Sequence, residues 1–160
     1  MTPGRRVTAA PDSPRWSTIR IASIVAAAVV IAAAFMPWVK ADLEAFTLSV
    51  NGMDRDGPFT VALGAAIIAA TVAPVYTGLS SRQSFTAVAV FGGLIALIGF
   101  LTWIDVEGAV NVDGEGVTGL PFVSVSPQAG LVMTTVAGIV AGTLGLAGVR
   151  FDAPPPEQSG

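Results

Sequence analysis

Residues 83–104 read QSFTAVAVFGGLIALIGFLTWI and carry no charge between Arg82 and Asp105. An α-helix needs about 20 apolar residues to cross the hydrocarbon core of a bilayer. This stretch therefore reads as a membrane span, and it has company on both sides. Uncharged runs at 21–39, 57–81 and 116–149 complete a set of four. The last run is the longest, and its excess is a polar loop before Pro127. The spans expected are 19–39, 59–79, 85–104 and 129–149.

Composition agrees with an apolar solvent. Of 160 residues, 52% are hydrophobic and only 12% charged, about half the charged share of a water-facing domain. Mean hydropathy is +0.72. Residues 1–18 are polar, contain three prolines and carry Arg5, Arg6 and Arg15. They read as a disordered cytoplasmic tail. Residues 151–160, with Pro154, Pro155 and Pro156, read as a second one. The membrane domain expected is 19–150.

Trp38 and Trp103 stand at the expected ends of spans one and three, where tryptophan favours the membrane–water interface. They are the expected interface anchors. Pro58 opens span two, where its missing N–H costs nothing. Pro74 lies inside that span and is expected to kink it, with a neighbouring helix covering the carbonyl it frees.

Four crossings place Arg5, Arg6, Arg15, Arg20, Arg82 and Arg150 on one side of the membrane and only Lys40 and Arg55 on the other. Basic residues favour the cytoplasm, so both termini are expected inside, in the cell membrane. The outer side then carries eight acids against two basic groups, a net −6, and the inner side a net +3. A rival reading makes span one a cleaved leader, with small residues at 32–34 as the cleavage region. Its uncharged run, 21–39, is longer than the apolar core of a leader, usually about 7–15 residues.

The chain also reads as two similar hairpins, each with a helix ending in Trp, then acids, a β-like run, a Gly-rich turn, a Pro and a second helix. FTLSV (46–50) and FVSVS (122–126) alternate apolar and polar residues, as half-buried strands do. With VNV (110–112) they are expected to form a small outer sheet.

Little here can perform chemistry. Cys and His are absent, which removes disulfides, thiolate or imidazole metal sites and the commonest general base. No acid lies within a span, where a membrane-embedded carboxylate site or a proton-coupled transporter would need one. No catalytic residue, cofactor or nucleic-acid partner is expected, and the chain is not expected to be an enzyme. Asp54-x-Asp56-Gly57 and Asn111-x-Asp113-x-Glu115-Gly116 look like fragments of calcium loops. The first has no bidentate Glu downstream, and the twelfth position of the second is Phe122. They read as solvated acidic turns, with Asp54, Asp56, Asp113 and Glu115 as weak outer cation candidates.

Small residues are the stronger signal. Gly138 and Gly142 are four apart on span four with Gly145 beside them; Ala89 and Gly93, and Gly92 and Ala96, repeat the spacing on span three. Such faces let helix backbones approach closely, either within the chain or against a partner.

The Trp near the end of span one, the DRDG loop and the SPQAGLVMTTVAGIVAG opening of span four resemble small four-span actinobacterial membrane proteins of unknown function. The layout is also similar to the claudin-like tetraspan topology. The claudin signature of Trp, Gly-Leu-Trp and paired Cys is missing, so the resemblance implies topology and no activity. The fold expected is an all-α, four-transmembrane-helix bundle with a small extracytoplasmic β element formed by the two outer loops. The leading functional expectation is an accessory or scaffold subunit of a cell-envelope membrane complex, touching the lipid bilayer and either protein partners or copies of itself. The alternative is a small oligomeric channel or transporter subunit with an acidic outer vestibule.

Overall fold

The computed structural model describes residues 14–43, 46–112 and 124–151. The remaining parts of the expected tails, and Asp113 and Glu115, lie outside the described residues. The chain runs α1 (Pro14–Ala34), β1 (Pro37–Leu43), β2 (Phe46–Asn51), a 3-10 turn (Gly52–Asp54), α2 (Gly57–Thr77), α3 (Ser81–Val112), β3 (Ser124–Pro127) and α4 (Ala129–Phe151). All four helices are long and apolar enough to cross a membrane, over Ser17–Ala34, Gly57–Thr77, Ser81–Val106 and Ala129–Phe151. They form a ring, in which α1 packs on α2 and α4, and α3 packs on the same two neighbours.

The first helix differs from expectation at both ends. It begins at Pro14, inside the stretch read as a tail, and stops at Ala34 rather than running to residue 39. Proline carries no N–H to continue the ladder, and it pushes the residue before it out of helical geometry. Pro37 therefore turns the chain out of α1. Tight turns from Phe35 N–H to the Ala32 carbonyl and from Met36 N–H to the Ala33 carbonyl, each 3.1 Å, close its end.

The turn between α2 and α3 is short because both helices are capped locally. Gly78 takes the left-handed conformation that terminates α2 (φ 68°), which a residue without Cβ adopts freely. Ser80 then opens α3 with reciprocal side-chain bonds: the Gln83 N–H donates to Ser80 Oγ, and the Ser80 N–H donates to Gln83 Oε1, both at 3.3 Å. This is a capping box.

At the opposite end sits a three-stranded antiparallel sheet in the order β2–β1–β3. Both loops contribute to it, as expected, but its central strand was not among the expected ones. FTLSV lies in β2 and the last residues of FVSVS in β3, whereas the expected third strand, VNV at 110–112, is helical. The apolar helical spacing does not end at Ile104: Val106, one turn after the buried Thr102, is itself buried, so α3 continues past the expected span. The two hairpins are therefore unlike. Among the described residues, the first makes two strands, and the second extends its helix and makes one.

The central strand begins with residues expected at the end of span one, Pro37 to Val39, and runs on to Leu43. The register slips between Pro37 and Val39, leaving Trp38 as a bulge. Successive strand residues normally face opposite sides, but a bulge re-aims one of them. Trp38 and Val39 are thus both buried, in a cluster with Val106 and Leu131 that Val50 and Trp103 flank. This cluster joins the sheet to the bundle.

Candidate functional site

The polar rim begins where the 3-10 turn meets α2. Arg55 and Asp56 precede the helix, and one turn further along stands Phe59, which is 67% exposed. Facing them, α3 brings Ile98, Leu101, Thr102 and Asp105. Together these residues line a cavity of about 350 Å³. Arg55 Nη2 donates to Asp105 Oδ2 at 3.0 Å, and the two side chains are 42% and 66% exposed. The Thr102 hydroxyl lies 2.9 Å from the Ile98 carbonyl and 3.3 Å from Asp56 Oδ2. A hydroxyl has one proton, and the shorter contact is the backbone one. Asp56 stands at the N-cap of α2 but makes no side-chain cap bond. Its carboxylate turns towards α3 instead.

Of the outer cation candidates, the two within the described residues, Asp54 and Asp56, have different surroundings. Asp54 Oδ2 accepts the Asn51 N–H at 3.3 Å, which holds the 3-10 turn, while Asp56 belongs to the cavity. Among the described residues no three acidic side chains gather as a metal site would require. In the sequence Arg55 reads as a loop charge and Asp105 as an ordinary charge at a span end. Their partnership joins positions 50 apart in the chain, so no local pattern signals it.

The small residues of spans three and four meet each other. A Cβ on Gly92 would stand 2.8 Å from Gly142 Cα, one on Gly138 would stand 2.7 Å from Ala96 N, and one on Gly145 would stand 2.7 Å from Ala89 Cα. Such distances are closer than carbon atoms tolerate, so α3 and α4 depend on these glycines for their approach. Gly93 is different: a Cβ there would meet nothing within 4 Å. It lies in the surface groove between the two helices.

Trp38 is on β1 rather than at a helix end. It is fully buried, and its Nε1 donates to the Ala33 carbonyl at 3.0 Å. Gly52 and Gly130 crowd its ring, since a Cβ on either would overlap it. Trp103 is half-buried against the same cluster.

Ser84 is a residue that sequence reading misses. Pro74 in α2 has no N–H for the carbonyl of Ala70, four residues back. Ser84, from the first turn of α3, donates its hydroxyl to that carbonyl at 2.6 Å. It lies just before the expected third span, outside the hydroxyls that the span itself holds. Its position ten residues after Pro74, across a capped turn, is the signal that could have found it. The other buried hydroxyls, Ser23, Thr60, Thr71, Thr102 and Thr134, each reach a carbonyl of their own helix. Among the described residues no buried side-chain nitrogen or oxygen is left unbonded.

No protein-family model matches the chain, and neither a curated protein nor a solved structure matches it.

Proposed function

We propose that this chain is a non-enzymatic, multi-pass membrane protein, with both termini cytoplasmic, serving as an accessory or scaffold subunit of a cell-envelope complex. The observation that carries this reading is how the bundle uses its polar and small residues. Every buried hydroxyl described is bonded to backbone within the chain, and the glycine rows bring α3 and α4 together. A bundle closed on itself in this way favours a packing role over an internal polar path. The channel alternative is correspondingly weaker for a single copy.

The surface available to a partner is the outer sheet, fixed to the bundle through Trp38. Its edge strand β2 carries Leu48, on the same face as the half-buried Val50 but 53% exposed. Leu48 is the exposed apolar side chain that this strand offers among the described residues, and the proposed contact is placed there. Purification in a mild detergent after crosslinking should recover a partner at fixed stoichiometry, and Leu48→Asp should release it. A monodisperse monomer or self-oligomer with no partner would overturn the proposal, as would a partner that Leu48→Asp leaves bound. Ion flux through the reconstituted chain would favour the channel alternative instead.

A further inference from the structure

We propose that the cavity between the start of α2 and the outer half of α3 binds the phosphoethanolamine headgroup of a bilayer phospholipid. The inference rests on the membrane placement proposed above, but not on the partner reading. The cavity is amphipathic along the helix direction. Arg55, Asp56 and Asp105 stand at its outer end, beyond or at the limit of the apolar spans. Phe59, Ile98 and Leu101 line the rest. Ile98 precedes Asp105 by seven residues, which at 1.5 Å per residue places it about 10 Å deeper. A ligand with charge at one end and hydrocarbon at the other matches that gradient, and a phospholipid at the interface is such a ligand. The volume of about 350 Å³ is at the small end for ligand sites, which suits a headgroup and the first part of a chain rather than a whole lipid.

The charges specify the headgroup. One guanidinium and two carboxylates leave the cavity a net −1, which disfavours anionic lipids. The bond to Asp105 uses one of the five N–H donors of Arg55, and guanidinium donors suit phosphate oxygens. Asp56 supplies a carboxylate turned from its own helix N-terminus, with the single proton of Thr102 held closer to the Ile98 carbonyl. A primary ammonium offers N–H donors to Asp56 and Asp105. A choline headgroup has none to offer, and a glycerol headgroup has no cation.

The test is native mass spectrometry of the full chain released from nanodiscs holding equal amounts of ethanolamine, choline and glycerol phospholipids. The ethanolamine lipid should be retained preferentially, as a single copy. Asp56→Asn should lower its retention roughly tenfold, the equivalent of one hydrogen bond to a charged group, and Arg55→Gln should act likewise. Circular dichroism and gel filtration confirm that both variants fold. Equal retention of the three lipids, or retention unchanged by Asp56→Asn, overturns the site. Competition by soluble glycerophosphoethanolamine at equal concentration would assign the same chemistry to a soluble ligand and overturn the lipid source. Extraction of the chain from vesicles by alkaline carbonate would overturn the membrane placement itself, a result distinct from loss of headgroup preference in a chain that stays in the bilayer.

Discussion

Ser84→Ala removes the hydroxyl that serves the carbonyl freed by Pro74, and its cost should depend on that proline. In the wild-type chain the Ala70 carbonyl accepts from Ser84 Oγ at 2.6 Å, while the proline four residues on has no N–H to give it. Hydrogen bonds between membrane helices contribute about 0.6 kcal/mol on average and up to about 1.7 kcal/mol. Stranding a carbonyl with no replacement donor adds its desolvation, so the loss should lie near the upper end, about 1–2 kcal/mol. In a Pro74→Ala background the restored backbone N–H reaches the same carbonyl from within α2. Ser84→Ala should then cost less than about 0.5 kcal/mol, leaving a coupling of about 1 kcal/mol in the double-mutant cycle. The four proteins can be compared by SDS titration in mixed micelles, with the folded fraction followed by tryptophan emission. An equal cost for Ser84→Ala in both backgrounds would refute the reasoning, because the role of the serine would then be unrelated to the proline.

Neighbouring glycines on α3 should behave oppositely. Gly92→Ala drives a methyl into the backbone of α4 and should cost about 1–3 kcal/mol, whereas Gly93→Ala meets open space and should stabilise by about 0.5–1 kcal/mol, both measured by the same titration. Trp38→Ala should cost about 3–5 kcal/mol through the emptied ring volume. Trp38→Phe should cost only about 1 kcal/mol, since the Ala33 carbonyl keeps the Met36 N–H; similar losses for the two variants would contradict burial as the cause. The chain has no cysteine, so single cysteines at Asp54 and Gln83 can report sidedness. An impermeant maleimide added to intact cells should label the former and not the latter, and the reverse pattern would invert the proposed orientation.

The run between Arg82 and Asp105 made one helix legible, and the other uncharged runs made three more. Length and hydropathy are properties of local sequence, and a bilayer-length apolar segment has few alternatives to helix. Pro58 at the start of α2 and the capping residues Gly78, Ser80 and Gln83 are equally local. The ends of the helices were less legible. Pro37 ends α1 before Trp38 is reached, and the continued burial of Val106 carries α3 beyond Asp105. A window count of apolar residues registers neither effect.

Sequence by itself determined that four apolar helices exist, that FTLSV and part of FVSVS are strands, and which positions are small enough for close helix contact. Tertiary structure decided that α3 and α4 are the helices joined through those glycines, that Trp38 is a bulge in a central strand, that Ser84 serves Pro74, and that Arg55, Asp56, Thr102 and Asp105 share one cavity. The division has a physical reason. Span formation depends on the solvent each segment meets alone, whereas close approach, bulge register and the pairing of distant charges depend on which surfaces the folded chain brings together.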